Sequence, residues 1–325
     1  MSASDVDGYV FLTGRSNPKL AKEVGSLLGV EVHTPVTVFS DGEIRVRIVP
    51  NIRRRNVYII QPTCMPEVNN YIMELTLMID AARRASASEI IAVVPYFGYS
   101  RQDRKEMPRV PISSSLVANI IESAGADRIV TIDIHSEQQE GFVDCPWDNL
   151  HGSYSLIPAI KAMHLGNNLV VASPDKGGVL RATAYAKLLN ASGLAIAYKE
   201  RDINLNDSLS ESQTLIGDVK GKDVLLVDDL VSTGGTIISA ANYIKQKGAK
   251  SVRAAVTHGL FTGSALEKIN KSSIEEFITT DTIALRDDVV KHPKIMVVSV
   301  APLLAEAIKR IESGESLSNA LFLKT

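Results

Sequence analysis

Short segments rich in Val and Ile recur along the chain and are separated by stretches with helical spacing. Their apolar residues are continuous rather than alternating, which is typical of strands whose two faces are both covered. Such strands occur in parallel sheets with helices on both sides, so the sequence predicts an α/β fold with mostly parallel sheets. The predicted strands are Val57–Gln61, Ile90–Pro95, Arg128–Ile134, Leu169–Ser173, Asp223–Val227, Ser251–Thr257 and Lys294–Val300.

Length and pattern together predict two domains. The chain has 325 residues, and a domain typically has about 150. The strand–helix alternation runs twice, and the segment Gly141–Pro158 between the two runs has no clear period. We therefore place a first domain at residues 1–151 and a second domain at residues 152–312.

Composition narrows the classes of partner. The formal net charge is −2, from 35 Lys and Arg against 37 Asp and Glu, so no overall basic field favours nucleic acid. Neither Cys64 nor Cys145 belongs to a CxxC pair, and a reducing compartment fits best. Residues Met1–Gly8 lack the character of a signal peptide, and no run approaches the ~20 apolar residues of a membrane span. We therefore expect a cytoplasmic protein with no nucleic-acid or membrane partner.

The segment Val224–Thr236 has the residues of a phosphate-binding loop. It is predicted to be a buried strand, a pair of acids at Asp228 and Asp229, a tight glycine loop and the start of a helix, which favours an anion. Because the acids would repel a phosphate that they faced, they are better explained as acceptors for sugar hydroxyls or as ligands of hydrated Mg²⁺. The residues predicted to bind the phosphate are Thr233, Gly234, Gly235 and Thr236.

Other phosphate loops are missing from the sequence. No glycine loop ends in Gly-Lys-Ser/Thr, and no GxGxxG follows a strand. Taken alone, the segment could also be an ordinary β–α turn with solvent-facing acids. However, Asp228-Asp229 followed by Ser232–Thr236 (Ser-Thr-Gly-Gly-Thr) resembles the phosphoribosyl-diphosphate loop of the type I phosphoribosyltransferase fold. That loop serves both the transferases that consume phosphoribosyl diphosphate and the synthetase that makes it.

Further segments resemble the synthetase rather than the transferases. Together with the loop they resemble the ribose-phosphate pyrophosphokinase family, class I-like, in family order from about Val10 to Ser318. The resemblance implies two similar domains of the type I phosphoribosyltransferase fold, each a mostly parallel sheet flanked by helices. We also expect the tail, residues 313–325, to pack on the first domain. The segments are Phe39–Glu43, Pro95–Lys105, Asp133–Gln138 and Tyr198–Arg201.

The resemblance assigns ATP to the first domain. Phe39 can stack on adenine while Asp41 and Glu43 accept hydrogen bonds from its amine, although this stretch taken alone favours a surface turn. The donors at 101–105 could likewise be a solvated loop. In the family, Phe39 and its neighbours reach the ATP of an adjacent subunit, which implies a homo-oligomer, with dimers assembling into a hexamer. The implied ATP contacts are Phe39, Asp41, Glu43, Arg101, Gln102, Asp103, Lys105 and His135.

The resemblance assigns ribose 5-phosphate to the second domain and implies Mg²⁺ as the cofactor. Mg²⁺ prefers oxygen ligands, and a lone histidine at a strand end is more often a structural hydrogen bonder than a ligand. The family nonetheless places metal binding at the positions of Asp133, His135, Asp144 and Asp148, with a second site, near the ribose, at Asp175. The implied ribose 5-phosphate contacts are Asp175, Arg201, Asp228, Asp229, Ser232, Thr233, Gly234, Gly235 and Thr236.

The implied reaction is diphosphoryl transfer for nucleotide biosynthesis. The 1-hydroxyl of ribose 5-phosphate attacks the β-phosphorus of ATP in line, giving 5-phosphoribosyl 1-diphosphate and AMP. Positioning and charge neutralisation carry the rate of such reactions. Lys199 and Arg201 are the predicted catalytic cations, and Asp202–Gln213 could close over the site and exclude water. Without the resemblance, surface charges at a strand end would explain both cations equally well.

Two other functions stay open. A phosphoribosyltransferase that consumes phosphoribosyl diphosphate would leave Phe39–Glu43 and Arg101–Lys105 without a purpose. A non-catalytic, synthetase-associated regulatory subunit would show insertions or losses around the lid, and here Lys199 and Arg201 are present. Ser232 stands where these synthetases usually carry Asp, so we expect altered affinity for ribose 5-phosphate rather than lost activity.

Overall fold

The structure is a computed structural model that describes residues 8–163, 165–202 and 210–318, with 199–202 and 210–212 described by their backbone alone. The described residues form two compact units. The first comprises 8–151, 282–284 and 299–318, and the second comprises the described parts of 152–281 together with 285–298. Within these ranges, no helix combines the length and the apolar character needed to cross a membrane.

Strands and helices alternate through both units. The chain begins with β1 (Tyr9–Thr13), α1 (Pro18–Leu28), β2 (Val32–His33), β3 (Val36–Val38), β4 (Ile44–Val46), β5 (Asn56–Ile60), α2 (Val68–Arg84), β6 (Ile90–Val94), α3 (Ser113–Ala124), β7 (Arg128–Ile132), a 3₁₀ helix (Glu137–Phe142) and β8 (Trp147–Leu150). It continues with α4 (Ser153–Ala162), β9 (Leu169–Ser173), α5 (Val179–Leu188), β10 (Gly193–Asp202), β11 (Ser210–Ile216), β12 (Asp223–Val231), α6 (Gly235–Gln246), β13 (Ser251–Gly259), α7 (Ala265–Lys271), β14 (Glu276–Thr280), α8 (Asp287–Val290), β15 (Ile295–Val298) and α9 (Ala301–Ser313).

Each unit is built on one main sheet. Among the described residues, the first unit has six parallel strands in the order β2-β1-β5-β6-β7-β8. The second has seven in the order β11-β10-β9-β12-β13-β14-β15, parallel except for the pair β10–β11. Strands β3 and β4 form a separate antiparallel hairpin. The predicted fold class, α/β with mostly parallel sheets flanked by helices, is confirmed.

Both faces of the first sheet are covered by helices. Successive residues of a strand point to opposite faces, so Phe11 and Leu12 enter different buried clusters. Leu12 shares its cluster with Leu75 of α2, and Phe11 shares the other with Leu20 of α1. Burial on both sides explains why the strands are continuously apolar, as in Ile90–Val94, which is buried throughout.

Helix α9 belongs to the first unit, which differs from the predicted second domain at residues 152–312. Leu303 is fully buried in the same cluster as Phe11. Tyr58 Oη donates to Glu312 Oε1 at 2.6 Å and ties the helix to β5. The prediction followed chain order, whereas the apolar face of α9 is buried against the first sheet.

The described part of the tail also lies on the first unit. Leu317 packs against the cluster that contains α9, and Arg310 Nη1 donates to Ser316 O at 3.1 Å. Residues 319–325 of the predicted tail lie outside the described residues.

The second sheet is covered in the same way and positions the predicted sugar-phosphate residues. Ile237 and Ile244 of α6 pack on one face, whereas Leu156 of α4 and Tyr185 of α5 pack on the other. Because β9, β12 and β13 are parallel, the loops that follow them leave the same edge of the sheet. At this edge, Asp175 follows β9 and Ser232–Gly234 follow β12, whereas Asp228 and Asp229 lie near the end of β12 itself.

Candidate active site

The loop between β12 and α6 leaves the start of a helix open. Helix α6 has 12 residues and begins at Gly235. Gly234 has a φ of 77°, and a Cβ there would lie 2.8 Å from Ile238 Cδ1, so glycine is required at this position. Thr233, Gly235 and Thr236 are exposed. The loop can therefore present hydroxyls and helix N-terminal amides to an anion.

The acid pair lies beside this loop and contacts Arg181 of α5. Arg181 Nη1 is 3.6 Å from Asp228 Oδ1 and 3.7 Å from Asp229 Oδ1. The side chains of Asp228 and Asp229 are only 15% and 8% exposed. Burial, and then the carboxylate of Asp229, raise the pKa of Asp228, whereas Arg181 opposes the rise. Ionising both carboxylates is therefore energetically unfavourable, and a bound cation or hydrogen bonds from sugar hydroxyls would stabilise the ionised pair.

Asp175 follows β9, the strand beside β12. Its Oδ1 accepts from Gly178 N at 2.8 Å, and Ser173 Oγ donates to its carbonyl oxygen at 2.7 Å, which fixes the loop ahead of α5. The carboxylate of Asp175 also contributes to the raised pKa of Asp228, so the structure brings the predicted carboxylates of the second unit within electrostatic reach.

The donor set of this unit fits Mg²⁺ only with help from other ligands. In the part of the chain that the structure describes, no three His, Cys, Asp or Glu side chains form a group that could hold a metal ion. Mg²⁺ usually keeps several waters and takes one or two carboxylates together with substrate oxygens. Asp175, Asp228 and Asp229 match that requirement in chemistry and charge.

Lys199 and Arg201 lie on β10, and their side chains are outside the described residues. In the antiparallel pair with β11, Lys199 is opposite Gln213. Gln213 Nε2 donates to Ser239 Oγ at 2.5 Å, and Tyr243 Oη donates to Gln213 O at 2.7 Å. The middle of this hairpin is therefore tied to α6, the helix that starts at the phosphate loop. Residues 203–209 of the predicted lid lie outside the described residues.

The first unit has a cavity of about 950 Å³ beside the loop after β6. Arg101, Gln102 and His135 line it, so the structure brings these predicted ATP contacts together. Asp103 and Lys105 are not among the described residues that line it. The other lining residues include two tyrosines, three amide or hydroxyl side chains and two acids, namely Tyr96, Tyr99, Asn69, Asn70, Ser100, Glu67 and Glu106.

Gln102 is held in place by the start of α3. Ser113 Oγ donates to Gln102 Oε1 at 2.6 Å, and Ser114 N donates to Gln102 O at 3.2 Å. Gln102 N donates in turn to Tyr99 O at 2.8 Å. These bonds fix the backbone of the loop and so hold the main chain of the neighbouring, exposed Arg101 in place.

The segment Phe39–Glu43 forms the turn of the β3–β4 hairpin. Phe39 N donates to Glu43 O at 2.8 Å, and Glu43 N donates to Asp41 Oδ1 at 3.0 Å. Phe39 is 44% exposed, and the guanidinium carbon of Arg45 lies 5.2 Å from the centroid of its ring. None of Phe39, Asp41 and Glu43 is among the described residues that line the cavity, so the structure does not bring them to the other predicted ATP contacts.

The structure does not assemble the predicted metal set of the first unit. Asp133 follows β7, is buried with a φ of 42°, and its Oδ1 lies 3.2 Å from His151 Nδ1. His135 lies nearby in sequence and lines the cavity. Asp144 and Asp148, by contrast, lie toward the start of the neighbouring strand. Asp144 precedes β8, and Asp148 is opposite Val130, whereas Asp133 N reaches Leu150 O beyond the end of the β7–β8 ladder.

The backbone of Asp144 and the side chain of Asp148 each have a structural partner. Glu122 Oε1 accepts from Asp144 N at 2.8 Å, which fixes the loop before β8. Asp148 Oδ2 forms an ion pair with Arg128 at the start of β7. The metal role predicted for these two residues is therefore not supported by their position, because β8 is parallel to β7 and places them away from its carboxyl end.

Two residues at the second site could not have been found from short motifs. Arg181 lies in the first turn of α5, 47 residues before Asp228. Thr262 follows β13 and contacts Ser232 across 30 residues of sequence. Their only sequence signal is that each follows a strand with a Gly-bearing or polar loop.

Comparison with known proteins identifies the family. Residues 9–125 match the model of the N-terminal domain of ribose phosphate pyrophosphokinase, and residues 204–322 match that of the phosphoribosyl synthetase-associated domain. A protein named ribose-phosphate pyrophosphokinase from Wolinella succinogenes is 48% identical over 317 residues, covering 97% of this chain and 99% of the relative. One from Caldanaerobacter subterraneus subsp. tengcongensis is 49% identical over 307 residues, covering 94% and 95%.

A solved structure agrees with these relatives. The crystal structure of phosphoribosylpyrophosphate synthetase from Mycobacterium smegmatis is 37% identical, covers 94% of this chain and 99% of that chain, and superimposes with a TM-score of 0.87. The resemblance inferred from the sequence motifs is thus confirmed along nearly the whole chain. The chain belongs to the ribose-phosphate pyrophosphokinase family.

Proposed function

We propose that this protein is an enzyme that transfers the diphosphoryl group of ATP to the 1-hydroxyl of ribose 5-phosphate. A bond forms between the 1-oxygen and the β-phosphorus, the bond from that phosphorus to the α-phosphate oxygen breaks, and AMP leaves with the electron pair. The proton of the 1-hydroxyl is lost. The observation that carries the proposal is the open start of α6 beside the buried acid pair Asp228 and Asp229, in a member of this family.

Ribose 5-phosphate is assigned to the second unit. Thr233, Gly234, Gly235 and Thr236 would bind its phosphate through backbone amides and hydroxyls at the helix start, with Ser232 as a further hydroxyl donor. Asp228 and Asp229 would accept hydrogen bonds from the ribose hydroxyls. Arg181 supports this role because it offsets part of the charge of the pair without removing it.

ATP is assigned to the first unit, where Arg101 and His135 would donate to its phosphates and Gln102 would orient the loop. Asp103 and Lys105 remain proposed ATP contacts. Lys199 and Arg201 would neutralise the charge that develops on the transferred phosphorus, which is where positioned cations have their largest effect. When bound, Mg²⁺ offsets the charge of the triphosphate and lowers the pKa of a coordinated hydroxyl.

The hairpin turn suggests that the enzyme works as an oligomer. Phe39 is exposed and lies outside the described lining of the cavity, so its proposed adenine would belong to another copy of the chain. We infer a homo-oligomer, assembled from dimers, on this ground together with the family. We also infer a cytoplasmic setting, because the free thiols of Cys64 and Cys145 suit a reducing compartment.

The two alternatives are not favoured. A phosphoribosyltransferase would need no triphosphate cavity lined by Arg101, Gln102 and His135. A non-catalytic regulatory subunit would not require the intact acid pair beside an open helix start. The relatives that match over nearly their full length are named as pyrophosphokinases.

A direct assay tests the proposed reaction. Purified protein with Mg²⁺, ATP and ribose 5-phosphate is expected to release AMP, and omission of the sugar phosphate should abolish the release. Consumption of added phosphoribosyl diphosphate with a nucleobase, without AMP formation, would instead favour a transferase. Absence of AMP from the protein alone, with a change in the rate of an active synthetase, would favour a regulatory subunit.

Replacing Gly234 by alanine is expected to raise KM for ribose 5-phosphate at least about tenfold. A Cβ at Gly234 would be strained at its φ of 77° and would lie 2.8 Å from Ile238 Cδ1, which displaces the loop amides. Gly221→Ala is the matched control, because Gly221 has a φ of 71° but no atom within 4 Å of its Cβ position. Steady-state kinetics of both variants should separate the general effect of backbone strain from a specific loss of phosphate binding. An unchanged KM for ribose 5-phosphate in Gly234→Ala would argue against phosphate binding by this loop.

Replacing Phe39 by alanine is expected to raise KM for ATP about tenfold and leave KM for ribose 5-phosphate unchanged. Stacking of a base on an aromatic ring is worth about 1–3 kcal/mol. Leu27→Ala on α1 is the control, since Leu27 is 50% exposed and Phe39 is 44% exposed. Equal values of KM for ATP in the two variants would argue against adenine stacking at Phe39.

A further inference from the structure

Two hydroxyl groups from different loops meet at the proposed phosphate site. Ser232 Oγ and Thr262 Oγ1 are 2.9 Å apart, and either can be the donor. Ser232 opens the loop after β12, whereas Thr262 lies in the loop after β13. Both side chains are partly exposed, so the pair borders solvent rather than the core.

The backbone fixes the geometry of this pair. Thr262 N donates to Ser232 O at 3.0 Å, and Leu260 N donates to Val231 O at 2.9 Å. Arg286 Nη1 donates to Phe261 O at 3.1 Å, which holds the second loop from its other side. Because main-chain hydrogen bonds join the two loops, the hydroxyls are preorganised. Little conformational entropy is then lost in bringing them together when a ligand binds.

Each hydroxyl has one proton, so the direction of the shared hydrogen bond decides whether Ser232 can donate its proton to a ligand. If Ser232 donates to Thr262, the Ser232 proton is used up and only lone pairs remain for the ligand. If Thr262 donates to Ser232, the Ser232 proton is available, and its donation to an anion is strengthened by the bond that Ser232 accepts. A phosphate favours the second arrangement, since it can only accept.

We propose that Thr262 is a positioning residue that donates to Ser232 Oγ and thereby directs the Ser232 proton to the phosphate of ribose 5-phosphate. The proposal rests on the function proposed above and adds a residue to its phosphate site. Thr262 acts through Ser232 and has no contact of its own with the substrate. Its loss should therefore weaken sugar-phosphate binding and leave the ATP side and the chemical step nearly unchanged.

The first test replaces Thr262 by residues that differ in the hydroxyl. Thr262→Val keeps the shape and removes the donor, and we expect KM for ribose 5-phosphate to rise about five- to tenfold, with kcat and KM for ATP within about twofold of the wild type. Thr262→Ser should restore the wild-type KM. Thr76→Val, which removes an exposed helix hydroxyl in the first unit, should change none of these values. A wild-type KM in Thr262→Val would overturn the proposal.

A double-mutant cycle separates action through Ser232 from direct contact. In the Ser232→Ala background, Thr262→Val should add no further increase in KM, whereas an independent contact would add its full effect and overturn the proposal. Thermal unfolding checks that the variants fold, and Thr262→Ala replaces Thr262→Val if that variant does not. If the wild type itself forms no AMP, the proposed function fails, and the cycle with binding of ribose 5-phosphate measured by calorimetry still tests the hydroxyl pair.

Discussion

Replacing Lys199 by alanine is expected to lower kcat by at least ~10²-fold while the protein still binds both substrates. Loss of one group that stabilises charge only in the transition state commonly costs this much. Lys199 lies opposite Gln213, whose bonds to Ser239 and Tyr243 anchor the hairpin on α6. The measurement is steady-state release of AMP, with KM for each substrate determined separately.

Two further variants make the Lys199 prediction specific. Lys199→Arg keeps the charge and should retain more activity than Lys199→Ala. Lys271→Ala removes an exposed lysine whose Nζ is 2.6 Å from Glu267 Oε1 on α7, and it should leave kcat unchanged. A near-normal kcat in Lys199→Ala would exclude Lys199 from the mechanism. A rise in KM alone would make Lys199 a binding residue.

Replacing Asp228 by asparagine is expected to lower activity and to raise stability at neutral pH. Activity should fall about 10- to 10²-fold in kcat/KM for ribose 5-phosphate, because a charged acceptor is worth about 1.5–3 kcal/mol. The free energy of unfolding should rise by about 1 kcal/mol or more, because the buried carboxylate of Asp228 no longer repels Asp229 while Arg181 keeps one partner.

The pH dependence of stability checks the sign of this effect. The pKa of Asp228 is raised in the folded protein, so folding favours its protonated form. Its contribution is therefore fully present below the ordinary aspartate pKa of 3.8 and is lost as pH rises through the folded value. The stability advantage of Asp228→Asn over the wild type should accordingly grow with pH across that window and stay constant above it.

A matched aspartate serves as control for Asp228. Asp218 is on the surface of the same unit, where Lys220 N donates to it and its Oδ2 is 3.1 Å from Lys222 Nζ, and these contacts lower its pKa. Asp218→Asn should leave activity unchanged and should not raise stability. Lower stability in Asp228→Asn at neutral pH would contradict the view that the acid pair is held at a cost.

The features that were predicted well from the sequence are formed by residues that are close together along the chain. The segment from Val224 to Thr236 contains strand, acids, glycines and helix start within a few residues, so local rules predict it, although β12 extends to Val231 and includes both acids. The parallel sheets follow from continuous apolar segments such as Ile90–Val94. The surface turn that the sequence left open at Phe39–Glu43 is also local, and the structure shows that it joins β3 to β4 and that Arg45 lies against the ring of Phe39.

What the sequence did not predict depends on residues that are distant along the chain. Helix α9 follows the second unit but packs with Phe11 in the first, and no local pattern distinguishes the two destinations. The family resemblance groups Asp148 with Asp133 as a metal ligand, whereas the parallel pairing of β7 with β8 places Asp148 beside Arg128. Arg181 contacts Asp228 across 47 residues of sequence, and Thr262 contacts Ser232 across 30. Such contacts can be predicted only when the order of the strands in the sheet is known.

The fate of the β-phosphate tests the central claim most directly. With ATP labelled by radioactive phosphorus in its β position, ribose 5-phosphate and Mg²⁺, the label should leave the nucleotide entirely and appear in the sugar product, in amounts equal to the AMP formed. Retention of the label in ADP, or recovery of the label as free diphosphate without a labelled sugar, would contradict diphosphoryl transfer by this protein.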